Sequence, residues 1–191
     1  MQTTCSVLRF PVLAVLALLL LTGCDSVGEE GGTIVLRPEV SEDAEGRDIS
    51  FRFVSDGFPV GQLRDVSCDC EVDLGPFLQD QGFSKADLVS ARLESARLVM
   101  LFPIDEQFDF LDQAILKFEA DGLSATEVAN RSGFPAAREA TLNVLPNRDV
   151  TAFLTRNDFE VILQINAREL VPSEEYEMAL VMTFRLEVEG L

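Results

Sequence analysis

The chain has 191 residues and a formal net charge of −18, 47% of its residues are hydrophobic, and it contains no histidine and no tryptophan. The acidic charge argues against nucleic-acid binding, which needs a basic surface, and against electrostatic docking on anionic lipid. The absence of histidine excludes Ser-His-Asp and Cys-His catalytic triads and imidazole-ligated zinc sites.

The basic residues are mostly arginine. Only two are lysines, Lys85 and Lys117, against thirteen arginines. Many carboxylates with few lysines are typical of halophilic proteins, in which salt screens the repulsion between surface carboxylates. An acidic exported protein from an ordinary environment is the alternative interpretation.

The N-terminus contains an uncharged apolar run, residues 10–21, preceded by one positive charge at Arg9. The run is shorter than the about 20 residues that a spanning helix needs, and it has the length of a signal-peptide apolar region. It ends in Leu21-Thr22-Gly23-Cys24, which resembles the lipobox of bacterial lipoprotein precursors. The resemblance implies that Cys24 receives a diacylglycerol thioether and that a peptidase cleaves between Gly23 and Cys24.

The lipobox divides the chain into three parts. Residues 1–23 are the predicted lipoprotein signal peptide, residues 24–32 a flexible tether, and residues 33–191 a single domain of no recognised family. The resemblance implies a lipid anchor in the inner or outer membrane of a bacterium, with the domain in the periplasm or at the cell surface. An ordinary signal peptide with a chance cysteine is the alternative.

Alternation of apolar and polar residues dominates the chain from Thr33 onward and predicts half-buried β-strands. The signal is longest over residues 176–188, and turn dipeptides such as Asp56-Gly57 and Asp121-Gly122 separate the runs. Seven or eight runs predict an all-β fold, an antiparallel two-sheet β-sandwich of immunoglobulin-like or jelly-roll-like type with one to three short helical turns. Other runs cover residues 34–36, 49–53, 114–118, 140–144 and 159–165.

Residues 84–102 combine helix-forming residues with strand alternation. Ser84 followed by Asp87 predicts a capping box and one helical turn. Apolar residues then alternate at positions 89, 91 and 93 and, after a change of phase near Ser95, at 96, 98, 100 and 102. We expect a bulged strand over about 89–102, and further helical turns within 74–82 and 149–157.

Cys68 and Cys70 form a C-x-C pair, which in an exported protein can hold copper or form a redox disulfide. In the alternation of residues 66–74 both fall on the apolar side, where free cysteine is a common small core residue. Same-side neighbours on a strand are about 6.5–7 Å apart, at or beyond the reach of a disulfide. We interpret both as structural cysteines, with a C-x-C disulfide and a metal site as alternatives.

Acidic residues cluster in two places and offer oxygen ligands that calcium accepts. Neither cluster has the spacing or the glycine of a known calcium loop, so we assign no metal site and predict no cofactor. The weak candidates are Asp69, Glu71 and Asp73 in one cluster and Asp105, Asp109 and Asp112 in the other.

Six phenylalanines fall near predicted strand ends or in loops. Exposed, they would form an apolar rim for a partner; buried, they would cap the open ends of the sandwich. They are Phe58, Phe77, Phe102, Phe108, Phe110 and Phe134.

The predicted function follows from the anchor and from the lack of a catalytic signature. We expect a non-enzymatic binding or assembly module of the bacterial cell envelope, held at the membrane by its N-terminal lipid and docked on another envelope protein. A calcium- or glycan-binding β-sandwich is the first alternative. A hydrolase that uses carboxylates alone is the second, and it requires two buried carboxylates that face one pocket.

Overall fold

The computed structural model describes residues 32–68, 70–156 and 159–190. The predicted signal peptide, the lipobox with Gly23 and Cys24, tether residues 24–31 and Asp69 lie outside the described residues. Within these ranges the chain forms two antiparallel β-sheets and two short α-helices. The prediction of an all-β, two-sheet sandwich with a few helical turns is confirmed.

Strands and short helices follow one another along the described residues. The strands are β1 (Thr33–Leu36), β2 (Glu39–Val40), β3 (Ser50–Val54), β4 (Arg64–Ser67), β5 (Leu88–Phe102), β6 (Leu111–Ala120), β7 (Leu123–Ser132), β8 (Glu139–Thr141), β9 (Asn143–Val144), β10 (Glu160–Ala167) and β11 (Glu175–Glu189). The helices are α1 (Gly75–Asp80) and α2 (Thr151–Leu154), with 3-10 turns at Lys85–Asp87 and Phe108–Phe110.

The C-terminal strand β11 is the centre of the first sheet. Along one side it pairs with β5, from Glu177 opposite Phe102 to Val188 opposite Leu88. Along its other side it pairs in turn with β3, β2 and β1, and β8 pairs with the outer side of β5. The N-terminal and C-terminal strands are therefore neighbours in this sheet.

The second sheet has the strand order β4-β10-β6-β7-β9. At one edge of the sandwich the chain passes from β8 in the first sheet to β9 in the second, across the single residue Leu142. At the other edge β3 of the first sheet contacts β4 of the second. The two layers are thus in contact at both edges of the sandwich.

The hydrophobic core lies between the two sheets, and its side chains are those that the alternation predicts to point inward. On β11 every second side chain from Tyr176 to Val188 is buried, while most of its outward neighbours are partly exposed. A sheet with one face packed on the core and one face exposed to solvent is usual among antiparallel sheets. The same alternation buries Ala114, Leu116 and Phe118 on β6 and Val161, Leu163 and Ile165 on β10.

Strand β5 is the predicted bulged strand, and the capping box of Ser84 and Asp87 precedes it. One register shift in its pairing with β11 lies between Leu93 and Ser95, where the change of phase predicts a bulge. A second shift near the start of the strand turns Leu88 inward and Val89 outward. The expectation that position 89 faces the core is therefore wrong.

The predicted helical turns in residues 74–82 and 149–157 are confirmed as α1 and α2. The predicted strand over residues 66–74 is too long, because β4 ends at Ser67. Beyond it Val72 and Leu74 are still buried, so they anchor the segment that leads into α1.

The sandwich has two distinct ends. At one end Gly32 and Thr33 lead into β1 beside the last residues of β11, and the predicted tether would join the domain there. At the opposite end the described chain crosses four times between the sheets, through residues 55–63, 103–110, 133–138 and 168–174. We call these the tether end and the loop end; the loop end also includes the strand-terminal residues Val54 and Phe102.

Candidate functional site

Exposed apolar side chains are concentrated at the loop end. Among the residues that the structure describes, seven large apolar side chains are exposed, and the seventh, Val89, lies at the tether end. Clustered exposed apolar residues mark interaction surfaces far more often than scattered ones do. The six at the loop end are Val54, Val60, Leu63, Phe102, Ile104 and Val171.

Most of the six phenylalanines of the predicted rim are not part of this surface. Phe108, Phe110 and Phe134 are buried, and Phe58 and Phe77 pack half-buried against the core. Phe102 remains exposed. The phenylalanines thus mainly cap the sandwich, while aliphatic side chains that the sequence analysis did not single out form the exposed surface.

Tyr176 anchors residues 168–174 from within the core. Its ring packs between those of Phe53 and Phe110, with ring centroids 5.0 and 4.9 Å away. Its hydroxyl accepts a hydrogen bond from the backbone N–H of Val171 at 3.1 Å. Burial raises the pKa of the Tyr176 hydroxyl, which keeps the neutral, hydrogen-bonding form. The exposed Val171 is therefore held by a buried group.

Arg138 fixes residues 103–110 in a similar way. Its guanidinium donates a hydrogen bond to the backbone carbonyl of Met100 at 2.6 Å and also to the carbonyl of Ile104. The backbone N–H of Phe108 donates to the carbonyl of Ala137 at 2.9 Å. These bonds join two connections and hold Ile104 with 69% of its surface exposed.

Residues 55–63 and 168–174 are joined directly. The Asp56 carboxylate accepts hydrogen bonds from the backbone N–H of Ser173 at 2.8 Å and from its hydroxyl at 2.9 Å. The N–H of Gly61 donates to the carbonyl of Ala167 at 2.8 Å. Loops that are braced in this way lose little conformational entropy when a partner binds them.

A cavity of about 330 Å³ opens at the loop end next to Val171. This volume is at the lower limit for pockets that take small ligands, and it is large enough for a side chain of a partner. Its apolar walls include Phe110, Leu170 and Pro172, and its charged walls include Asp109 and Arg168.

The loop end is acidic as well as apolar. Its four connections contain two arginines, Arg138 and Arg168, and six carboxylates. Arg138 is already engaged with backbone carbonyls, and Arg168 forms an ion pair with Asp112 at 2.9 Å. The acidic residues are Asp56, Asp105, Glu106, Asp109, Glu169 and Glu174.

The predicted calcium candidates are not brought together. Asp105 and Asp109 are exposed at the loop end, and Asp112 is paired with Arg168. Asp73 forms an ion pair with Lys85 at 2.8 Å, and Glu71 is exposed. No group of three metal-ligating side chains occurs within the described ranges, to which Asp69 does not belong.

Cys68 and Cys70 form a disulfide, whereas the sequence analysis favours free thiols. Their Cα atoms are 5.2 Å apart, closer than same-side neighbours on a strand. The difference arises because β4 ends at Ser67, so the spacing of an extended strand does not apply to these residues. Both cysteines are half-buried and pack against the core.

This disulfide closes a very short loop, with a sequence separation of 2. In the chain-entropy account a loop of about three residues gains about 1.6 kcal/mol from a disulfide, against about 4.7 kcal/mol for about 100 residues. The cross-link therefore contributes little to the stability of a domain that already has a large core.

Cys68 lines a cavity of about 440 Å³ at the edge where β3 meets β4; we call it the cysteine cleft. Arg52 lies opposite Glu177 in the sheet and forms an ion pair with it at 2.7 Å. Among the described residues the walls of the cleft are Asp43, Arg47, Asp48, Ser50, Arg52, Cys68 and Glu177.

Asp43 organises one wall of this cleft. Its side chain is 1% exposed and accepts hydrogen bonds from the backbone N–H groups of Glu45 and Arg47 at 3.0 and 2.9 Å. The Arg47 guanidinium contacts the second carboxylate oxygen at 2.7 Å. Burial acts to raise the pKa of this carboxyl, but the hydrogen bonds and the Arg47 charge outweigh it and hold the pKa below its ordinary value.

The lowered pKa of Asp43 predicts a pH dependence of stability. The ionised carboxylate stabilises the folded state above about pH 4, and this contribution is lost as the pH falls through the lower folded-state pKa. We expect Asp43→Asn to lower the melting temperature at pH 7 and to flatten its decline in acid, measured by thermal unfolding between pH 2 and 7. Asp48→Asn, in the same cleft, is the control; equal effects of the two variants would contradict the role of Asp43.

A carboxylate-only hydrolase requires two buried carboxylates in one pocket. In the part of the chain that the structure describes, Asp43 is the only acidic residue that is buried, and it is bound by Arg47. No pair of this kind occurs there.

No protein-family model matches the chain, and no curated protein matches it. Between Gly32 and Gly190, as far as these residues are described, none of the helices has the length and apolar character that crossing a bilayer requires.

Proposed function

We propose that the protein is a lipid-anchored, non-enzymatic binding module of the bacterial cell envelope and that its loop end docks a protein partner. The observation that carries the proposal is the concentration of exposed apolar side chains at that end, six of the seven among the described residues. The lipobox at Cys24 supports the anchor.

The position of the tether supports the same proposal. The tether enters at Thr33, opposite Glu189, while the loop end lies at the other terminus of β11, which has 15 residues. A strand of that length spans roughly 45 Å. A lipid on Cys24 would attach the protein to the membrane through the tether end and leave the loop end free to contact other envelope proteins.

The chemistry of the loop end defines the partner. Exposed apolar side chains such as Ile104 and Val171, on connections that also carry six carboxylates, complement a protein surface that has an apolar cleft and a rim of lysine and arginine. The loop end does not complement an anionic bilayer, which would repel those carboxylates. We therefore expect a basic-rimmed protein.

Photo-crosslinking in the native host tests the docking surface. A photoreactive phenylalanine analogue at position 104 or 171 is expected to give one recurrent adduct. The matched control is position 89, because Val89 is an exposed apolar residue at the tether end, with 56% of its surface exposed. The adducts would be identified by mass spectrometry.

Binding of the purified partner then decides the proposal. We expect Ile104→Asp to weaken binding at least about tenfold, because a charge would be desolvated in an apolar contact, and Val89→Asp to leave it unchanged. Adducts at position 89 equal to those at 104, or equal affinity of the two variants, would contradict docking at the loop end.

A further inference from the structure

We propose that the Cys68–Cys70 disulfide is redox-active and exchanges with a dithiol of another protein. The proposal concerns the cysteine cleft and goes beyond docking at the loop end, on which it does not rest. It is carried by three observations: the small loop that the disulfide closes, the position of Cys68 in the wall of a cleft, and the anchoring of the segment on both sides.

The small size of the loop distinguishes this disulfide from one whose role is to stabilise the fold. With a sequence separation of 2, it restricts the unfolded chain very little. The segment is held by other contacts: Val66, Val72 and Leu74 are buried, and the carbonyl of Glu71 accepts the N–H of Ala44 at 2.8 Å. Reduction would therefore leave both thiols close together and ready to reoxidise.

The position of the sulfurs determines which one is attacked. Cys68 lines the cleft, which is open to solvent, and is half-buried rather than enclosed. Thiol–disulfide exchange requires a thiolate to reach one sulfur in line with the bond that breaks. The geometry therefore assigns Cys68 as the attacked sulfur and Cys70 as the leaving sulfur.

The exchange balances in two steps. A thiolate of the partner attacks Sγ of Cys68, the bond between the cysteines breaks, and Sγ of Cys70 leaves as a thiolate that takes up a proton. The partner's second thiol, after losing its proton, attacks the partner sulfur of the mixed disulfide and releases Cys68 as a thiolate, which takes up the second proton. The partner dithiol is oxidised to a disulfide, and two electrons and two protons pass to the cysteine pair.

The charges of the cleft favour a protein dithiol over a small anionic thiol. Arg47 and Arg52 lie in the wall with Cys68 and can stabilise its released thiolate, although each is paired with a carboxylate, Asp43 or Glu177, at 2.7 Å. Asp48 adds a third carboxylate to the same walls. The cleft is therefore net acidic, which repels thiolates of negatively charged small molecules.

Transfer of the disulfide to a reduced, unfolded ribonuclease tests the proposal. The full-length chain is used with Cys5→Ser and Cys24→Ser, so that Cys68 and Cys70 are its only cysteines. In detergent without denaturant, we expect about two thiols to appear in each molecule of this protein while the ribonuclease loses two. Alkylation followed by mass spectrometry counts the thiols of both proteins. The same chain with Cys68→Ser and Cys70→Ser is the control. Transfer only after denaturant is added would overturn the proposal.

A separate experiment tests the assignment of Cys68 as the attacked sulfur. In single-cysteine variants, the thiol of Cys68 in Cys70→Ser is expected to react with neutral dithiodipyridine at least about tenfold faster than the thiol of Cys70 in Cys68→Ser. Circular dichroism would be used to check that both variants are folded. Equal rates, or a faster Cys70, would overturn the assignment of Cys68 as the attacked sulfur.

Discussion

Replacing Phe118 with alanine is expected to lower the free energy of unfolding by about 3–5 kcal/mol. The ring is fully buried on β6 and contacts the rings of Phe159, Phe153 and Phe184, at centroid distances of 4.7, 6.2 and 6.2 Å. Phe159 immediately precedes β10 of the second sheet, Phe153 belongs to α2 and Phe184 belongs to β11 of the first sheet, so truncation leaves a cavity where α2 meets both sheets. Because domains of this size have only about 5–15 kcal/mol of stability, the loss is a large fraction of the total.

Urea denaturation followed by circular dichroism measures this loss. Val89→Ala is the matched control, since it also truncates an apolar side chain but at a position that is 56% exposed. We expect it to change stability by less than about 0.5 kcal/mol. Comparable losses in the two variants would contradict the burial of Phe118 and the exposure of Val89.

Replacing Cys24 with alanine is expected to abolish membrane attachment altogether. Without the thiol no thioether can form, and the acyl chains that would anchor the protein, at about 0.8 kcal/mol per buried methylene, are missing. The domain begins only at Thr33, so its melting temperature should not change. Membrane fractionation after a high-salt wash, followed by immunoblotting, measures the attachment.

Cys5→Ala is the control for this variant, because it removes a thiol from the predicted signal peptide without touching the lipobox. The lipoprotein interpretation fails if the Cys24 variant still sediments with washed membranes. It also fails if the Cys5 variant is released to the same extent.

The sheets could be predicted because each has one wet face. On β10 every second residue is buried without exception, and on β11 only the small residue Ala179 is buried on the outward side, so the inward side could be identified from the sequence. Strand β7 (Leu123–Ser132) could not be predicted from the sequence, because it lacks this regular alternation. Its adjacent residues Val128 and Ala129 are both buried, next to a register shift in its pairing with β6, and the alternation is broken.

The candidate sites were less predictable, because they depend on where strands end. The distance that argued against a disulfide assumed that Cys68 lies on a strand, and β4 ends one residue earlier. At the loop end the rings of Phe108 and Phe134 pack against each other in a tilted arrangement, with centroids 5.8 Å apart, and are buried, while Ile104 remains exposed. The hydrophobicity of a residue alone does not show whether it is buried, like Phe108 and Phe134, or exposed, like Ile104.

The central place of β11 in the first sheet has a consequence for how the protein is made. Thr33 finds its partner only when Glu189 is present, and β2, β3 and β5 also pair with this last strand. A nascent chain therefore cannot complete the sheet until β11 has been synthesised. Such a high contact order slows folding of this sheet, because long loops must close before its strands can pair. Delayed folding of this kind would suit the proposed export, because an exported polypeptide would cross the membrane before it folds.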